Sequence, residues 1–270
     1  MDQTLSTYRG ILHAHTTNSD GDYSLEQLRD VLVRNGYSFV CMTDHAEYFD
    51  KTKAEAYRRE CERLSDDRFL FIPGFEFECE ERMHILGFGC TTLVDSLDPQ
   101  EVIRHIKKNN CLSVIAHPKD SMFPWIESFH ELPHGIETWN SKYDSQYAPR
   151  PGTFALLERL QDRVPSMKAY YGVDLHFRNQ NRLLYNEVHV QKLSRDVILE
   201  SLFAGSYVGC MRTTYLPSDG RLVHEQTKQF ARTSARYFAF RNFVKNTKKR
   251  LDGIGANIPP GLKAQLRRIF

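Results

Sequence analysis

Almost every apolar, strand-like run in this chain carries a residue that can ligate a metal at or near one end. ILHAH closes on His13 and His15, SFVCMTDH on Asp44 and His45, and FLFIPGFEFE carries Glu76. MHILGFG holds His84, CLSVIAHP delivers His117, and MKAYYGVDLH finishes with Asp174 and His176. HGIETWN is a further strand-like run. Between these runs lie segments with helical spacing. SLEQLRDVLVRNG sets Leu25, Leu28, Leu32 and Val33 on one face, with Ser24 and Gln27 as a capping box and Gly36 as its end. TKAEAYRRECERL, DPQEVIRHIKKNN with Pro99, and TFALLERLQD are three more helices. The order β-α-β-α-β-β-α-β-loop-β-α-β predicts an α/β protein with a mostly parallel sheet. An open sheet would spread its strand ends along a line. A closed barrel gathers them around one mouth, where barrel enzymes place their sites. The expectation is therefore a closed barrel of about seven strands.

At 270 residues, with 41% apolar side chains, the chain can build one such barrel. No run approaches the roughly 20 apolar residues that span a bilayer, and MDQTLSTYRG lacks the layout of a secretory signal. The six cysteines are scattered without a CxxC pair. Buried thiols in a reduced, cytoplasmic setting are expected.

Charge is uneven along the chain. From Lys228 to Phe270 stand eleven Lys or Arg and one acidic residue, Asp252, for a net of +10. The first 227 residues hold 25 basic and 33 acidic side chains, a net of −8. Residues 193–208 read as a helix ended by Gly205 and then a short strand. Residues 225–251 read as a long basic helix with Phe230, Tyr237, Val244 and Leu251 spaced by sevens. GIGANIPPG breaks it, and LKAQLRRIF forms a last short helix. The predicted division is a barrel over residues 1–225 and a basic helical extension over 226–270, packed on the barrel or tethered to it.

A histidine alone at a strand end is more often a hydrogen-bonded structural residue than a ligand. Here the weight comes from accumulation. HxH on a strand sets two imidazoles on one face, because strand side chains alternate, and VDLH repeats this with a carboxylate and an imidazole. Of the eleven histidines, His13, His15, His45, His84, His117 and His176 fall on predicted strands or their ends. His105, His130, His134, His189 and His224 read as surface residues.

The motifs HAHTTNSDG (13–21), TDH (43–45), GFE (74–76), HILGFG (84–89), AHP (116–118) and VDLH (173–176) occur in that order over roughly residues 10–210. On them the chain resembles the PHP (polymerase and histidinol phosphatase) family of metal-dependent phosphoesterases. The resemblance implies a distorted (β/α)7 barrel and a trinuclear centre of divalent ions, Zn, Mn or Fe. It implies that His13, His15, Glu76 and Asp174 hold a first metal, and that Glu76, His84 and His117 hold a second with Glu76 bridging. Asp20, His45 and His176 would hold a third. Among these, Glu76, His117, Asp174 and His176 are the residues expected to carry catalysis.

Three divalent ions outweigh three carboxylates and one hydroxide by two charges, since imidazoles bind metals in the neutral form, and that excess matches a phosphate dianion. The expected reaction is an in-line displacement in which a hydroxide bridging the first two metals attacks phosphorus. Lys119, beside the His117–Pro118 pair, and Arg178, two residues past His176, are candidate substrate-binding cations. Asp44 could orient a ligand, Trp139 and Asn140 could line the mouth, and Cys79 is a bystander. The substrates that the resemblance implies are small phosphomonoesters such as histidinol phosphate, nucleotides, or short oligonucleotides.

Two rival readings remain at this point. One is an amidohydrolase-type C–N hydrolase, which also opens with HxH on a first barrel strand. The other is a non-catalytic barrel that binds metal or a phosphorylated ligand. The tail residues Phe238, Phe240, Arg241, Phe243, Lys245, Lys248, Lys249 and Arg250 could bind a nucleic-acid strand or an anionic membrane surface. Packing of the Phe230/Tyr237/Val244 stripe on the barrel is the simplest use of that helix.

Overall fold

A computed structural model describes residues 5–180 and 183–253. The chain runs β1 (Ser6–Ala14), α1 (Leu25–Arg34), β2 (Phe39–Met42), β3 (Asp44–His45), α2 (Lys51–Leu64), β4 (Leu70–Ile72), β5 (Gly74–Glu78) and β6 (His84–Phe88). It continues through α3 (Pro99–Lys108), β7 (Leu112–Ala116), α4 (Phe123–Glu127), β8 (Gly135–Asn140), α5 (Pro151–Gln161) and β9 (Lys168–Leu175). The last elements are β10 (Leu184–Val190), α6 (Arg195–Ala204), β11 (Tyr207–Met211), β12 (Thr214–Pro217) and α7 (His224–Gly253).

Local chemistry explains the helices. Ser24 and Gln27 form the expected capping box at the start of α1. Asp50 caps α2, and Asp98 followed by Pro99 starts α3. α6 ends at Gly205, which takes the left-handed conformation with φ 78°. All six cysteines are buried free thiols.

One mixed sheet of twelve strands organises the described residues. β1 lies parallel to β2 and β9, and β8 lies parallel to β7 and β9. β6 is antiparallel to both β5 and β7. The closed barrel is not found. The hydrogen-bonded path runs from β12 to β3, and β2 and β4 pair off it. Two interruptions break the ladder. Thr43 separates β2 from β3; its N–H still donates to Ala14 O at 2.9 Å, while its hydroxyl accepts the Ala14 N–H at 3.2 Å. Pro73 separates β4 from β5, and proline has no N–H to donate. The sheet still brings together side chains on or just past β1, β3, β5, β6, β7 and β9.

One strand is unforeseen from the sequence, and one further expectation changes. Residues 184–190 form β10, which pairs antiparallel with β1 and leads into β11 and β12. His134 is half-buried rather than a surface residue, with its ring 4.3 Å from that of Phe203.

α7 buries Phe230, Ser234 and Tyr237, a stripe at helical spacing. Val244, farther along the expected stripe, is only half-buried. The helix expected for LKAQLRRIF lies outside the described residues. Among the described residues no helix is long and apolar enough to cross a membrane.

Candidate metal centre

Three of the candidate ligands sit on backbone that L-residues rarely adopt. His13 has φ 66°, His117 φ 29° and Asp174 φ 55°. Each lies at or just past the carboxyl end of its strand. The register of β1 against both β2 and β9 shifts at His13. Such a bulge re-aims a side chain, at a cost on the order of 1–3 kcal/mol for each strained residue. Strain of this kind, repeated at three donors around one point, marks a built site.

Glu76 on β5 is the hub. Its two oxygens face different partners. Oε2 lies 3.2 Å from Nε2 of His13 and 3.2 Å from Nε2 of His15. Oε1 lies 2.7 Å from Nδ1 of His84 and 3.2 Å from Nε2 of His117. Burial by itself would raise the Glu76 carboxyl, but His13, His117 and His15 outweigh it and hold the group well below its ordinary range. Burial would likewise push the His13 imidazole down, yet Asp174, Glu137 and Glu76 hold it well above its usual value.

A second group forms beside the first. Asp20 Oδ2 is 3.2 Å from His176 Nε2, and Asp20 Oδ1 is 3.6 Å from His15 Nδ1 and 3.8 Å from His45 Nε2. Asp174 Oδ1 lies 3.0 Å from His176 Nδ1. Despite burial, the contacts with Asp174 and Asp20 push the His176 imidazole up to about 9.

All nine sequence-predicted ligands therefore converge. Four overlapping sets keep their donor atoms within 4.8 Å of one another: His15/Asp20/His45/His176, His13/His117/Asp174, His13/His15/Glu76 and His45/Glu76/His84. The donor set fits divalent cations. His15 is fully buried, and burial pushes its imidazole down to about 3, so the ring is neutral. Neither of its nitrogens makes a hydrogen bond, although Nε2 is close to Glu76, and the buried Nδ1 of His45 makes none either. Buried polar atoms left without partners are rare, and neutral imidazole lone pairs beside carboxylates suit a borderline metal ion.

A PHP domain family model matches residues 12–200. The chain belongs to the PHP domain family. A crystal structure of a two-domain protein from Bacteroides vulgatus ATCC 8482, containing a predicted PHP-like metal-dependent phosphoesterase, is similar with a TM-score of 0.57 and 20% identity. That match covers 78% of this chain and 67% of the other. PsfC from Pseudomonas syringae PB-5123 is similar at a TM-score of 0.50 and 11% identity, over 86% of this chain and 98% of PsfC. Both are likenesses of fold. The DNA polymerase/3′-5′ exonuclease PolX of Bacillus subtilis (strain 168) is 26% identical over 82 residues, which is 27% of this chain and 14% of PolX. The PHP chain thus spans a small part of that relative's length.

Around the ligands, this PHP domain adds residues that sequence reasoning missed. Glu137 on β8 places Oε1 2.9 Å from His13 Nδ1. Its Oε2 accepts from the backbone N–H of His117 and from Asn140 Nδ2, both at 2.9 Å. Gly172 on β9 makes room for it, since a Cβ there would stand 1.8 Å from Glu137 Oε1. Lys142, just after β8, lies 3.2 Å from Asp174 Oδ1 and 3.1 Å from His176 Nδ1. The only sequence signal for either residue is a polar group inside or just beyond an otherwise apolar strand.

Asp44 accepts from the N–H of Thr16 and from the hydroxyls of Thr16 and Ser19, so it shapes the turn that carries Asp20. The Trp139 indole donates to Ser145 O in the core. Cys79 is buried with its thiol toward Phe77 O. Lys119 is exposed beside His117 at the mouth of the cluster. Arg178 reaches elsewhere: its guanidinium donates to Asp22 O and Gln27 Oε1 and lies 5.3 Å from the Tyr23 ring centroid.

Proposed function

We propose that this PHP domain is a metal-dependent phosphoesterase. The observation that carries the reading is the division of the Glu76 carboxylate, with Oε2 toward His13 and His15 and Oε1 toward His84 and His117. A carboxylate placed in this way suits two cations side by side. Of the nine donors, His13, His15, Glu76 and Asp174 would hold one ion, and Glu76, His84 and His117 a second. Asp20, His45 and His176 would hold a third. Divalent ions bound there would supply Lewis acidity toward phosphoryl oxygens and bring a water to an ionisable state near neutral pH.

The protein's own residues do the positioning. Glu137 fixes the ring of His13 and the backbone of His117. Lys142 adds positive charge beside Asp174 and His176, where a phosphate oxygen would dock. Lys119 stands exposed at the mouth, free to meet an incoming anion. A phosphorylated small molecule or nucleotide is the substrate class that suits this charge. Arg178 would act more remotely, by fixing the turn after β1 to the loop after β9. Residues up to 225 would form the catalytic unit, and the helix that follows its wall.

The test is metal-free protein reloaded with Mn²⁺ or Zn²⁺ and assayed on a panel of phosphate mono- and diesters. Turnover that depends on the added ion is expected. Stoichiometric metal uptake without turnover of any ester would favour a binding domain, and hydrolysis of C–N substrates alone would favour amidohydrolase chemistry.

A further inference from the structure

The cavity at the cluster mouth, about 390 Å³, has His45, Arg82, His84 and His117 among its walls. A second cavity of about 490 Å³ adjoins it and shares His117, Lys119 and Tyr143. Its far wall is α7, through Ala231, Ser234, Ala235 and Phe238. Helical spacing explains this wall. Phe230, Ser234 and Tyr237 form the stripe that docks α7, and Ala231, Ala235 and Phe238 form the next stripe round the helix. α7 is also tied to the loop that bears Tyr143, because Arg241 donates to Tyr143 O at 3.4 Å. The Tyr143 ring in turn lies 4.2 Å from that of His117. The outer cavity is therefore held at a fixed offset from the metal ligands.

Its charge is largely cancelled. Arg150, at the start of α5, spends its guanidinium on Asp144, Asp120 and the carbonyl of Pro118. Asp120 is exposed at the rim and disfavours a second anion there. The rest of the lining includes two small alanines, Ser234, the rings of Phe238 and Tyr143, and Lys119 at the junction with the cluster. The volume falls in the range of small-molecule pockets.

We propose that this outer cavity is the subsite for the alcohol portion of the substrate, and that it takes a flat, uncharged, largely apolar group, with Ala235 and Phe238 of α7 as specificity-determining residues. The proposal rests on the phosphoesterase reading and adds the substrate class to it. The phosphoryl group would lie at the cluster with Lys119 beside it. The ester's ring would extend past Tyr143 onto the Ala231/Ala235/Phe238 stripe.

The experiment compares 1-naphthyl phosphate with glycerol 2-phosphate on the metal-loaded full chain, as wild type, A235W and F238A. Binding of the non-hydrolysable 1-naphthylmethylphosphonate is followed by calorimetry. Ala235 is exposed, so a Trp there can fill the cavity without entering the core. A235W should raise KM for the naphthyl ester and Kd for the phosphonate by about tenfold or more, with glycerol 2-phosphate within about twofold. F238A should weaken the naphthyl ligands in the same selective way, which keeps the test alive if A235W lowers the melting temperature. Equal effects on both esters, or none, would overturn the subsite. A wild type that neither hydrolyses either ester nor binds the phosphonate would overturn the phosphoesterase reading itself.

Discussion

Nδ1 of His13 lies 2.9 Å from Oε1 of Glu137, a residue 124 positions further along the chain. The other oxygen of the same carboxylate accepts the backbone N–H of His117. One side chain thus steers two donors of the cluster, and both of those donors sit on strained backbone.

Replacing Glu137 with Gln keeps the shape and removes the charge. Outer partners of metal-ligating histidines are typically worth about 10–100-fold in metal affinity. E137Q should weaken divalent-ion binding by that order, read by competition with a chelator, with the melting temperature of the metal-free protein little changed. Unaltered affinity would reduce Glu137 to a filler of buried space.

Removing His117 takes away one of the two partners of Glu76 Oε1 while leaving a half-exposed position. H117A should fold, bind fewer ions than the wild type, and lose turnover. The wild type should hold close to three divalent ions per chain by elemental analysis. Full activity in H117A would show that the ion assignment around Glu76 Oε1 is wrong.

Gly172 should tolerate no side chain. The Cβ of G172A would stand 1.8 Å from Glu137 Oε1 and 3.2 Å from the His13 Cβ, so the carboxylate or the strand has to shift. Overpacking typically costs about 1–3 kcal/mol. A melting temperature and a metal affinity both equal to wild type would contradict this account of β9.

His134 gives a pH signature away from the candidate ligands. Its Nδ1 accepts the Ser113 N–H at 3.0 Å, and burial pushes its imidazole down to about 4. In the unfolded chain the group titrates near 6.5. Between those values the unfolded chain binds a proton that the folded protein does not, so the contribution of this group to stability is complete above about pH 6.5 and is lost as the pH drops toward 4. H134Q should lose part of that acid sensitivity, seen as a smaller drop in melting temperature between pH 7.5 and 4.5. Equal drops in the two proteins would remove His134 from the balance.

The sequence by itself determined most of the helices and strands and picked out the nine side chains that converge. These are local properties. Ser24 and Gln27 cap α1 across one helical turn, and His13 and His15 share a face through the two-residue period of a strand. Donors at the ends of successive strands converge once the sheet has formed.

Tertiary structure decided the rest. Thr43 and Pro73 interrupt the ladder that a closed barrel needs, and a single residue outside a strand pattern does not reveal whether pairing resumes across it. β10 joins the sheet through β1, roughly 180 residues earlier, and nothing local specifies that partner. Glu137 and Lys142 look like stray polar groups until β1, β8 and β9 lie side by side. α7 reads as a basic helix from its composition, yet its apolar stripes set it against the mouth of the site. Propensity and periodicity act over one or two turns of chain, whereas these contacts join residues from 20 to about 180 positions apart and exist only once the core has packed.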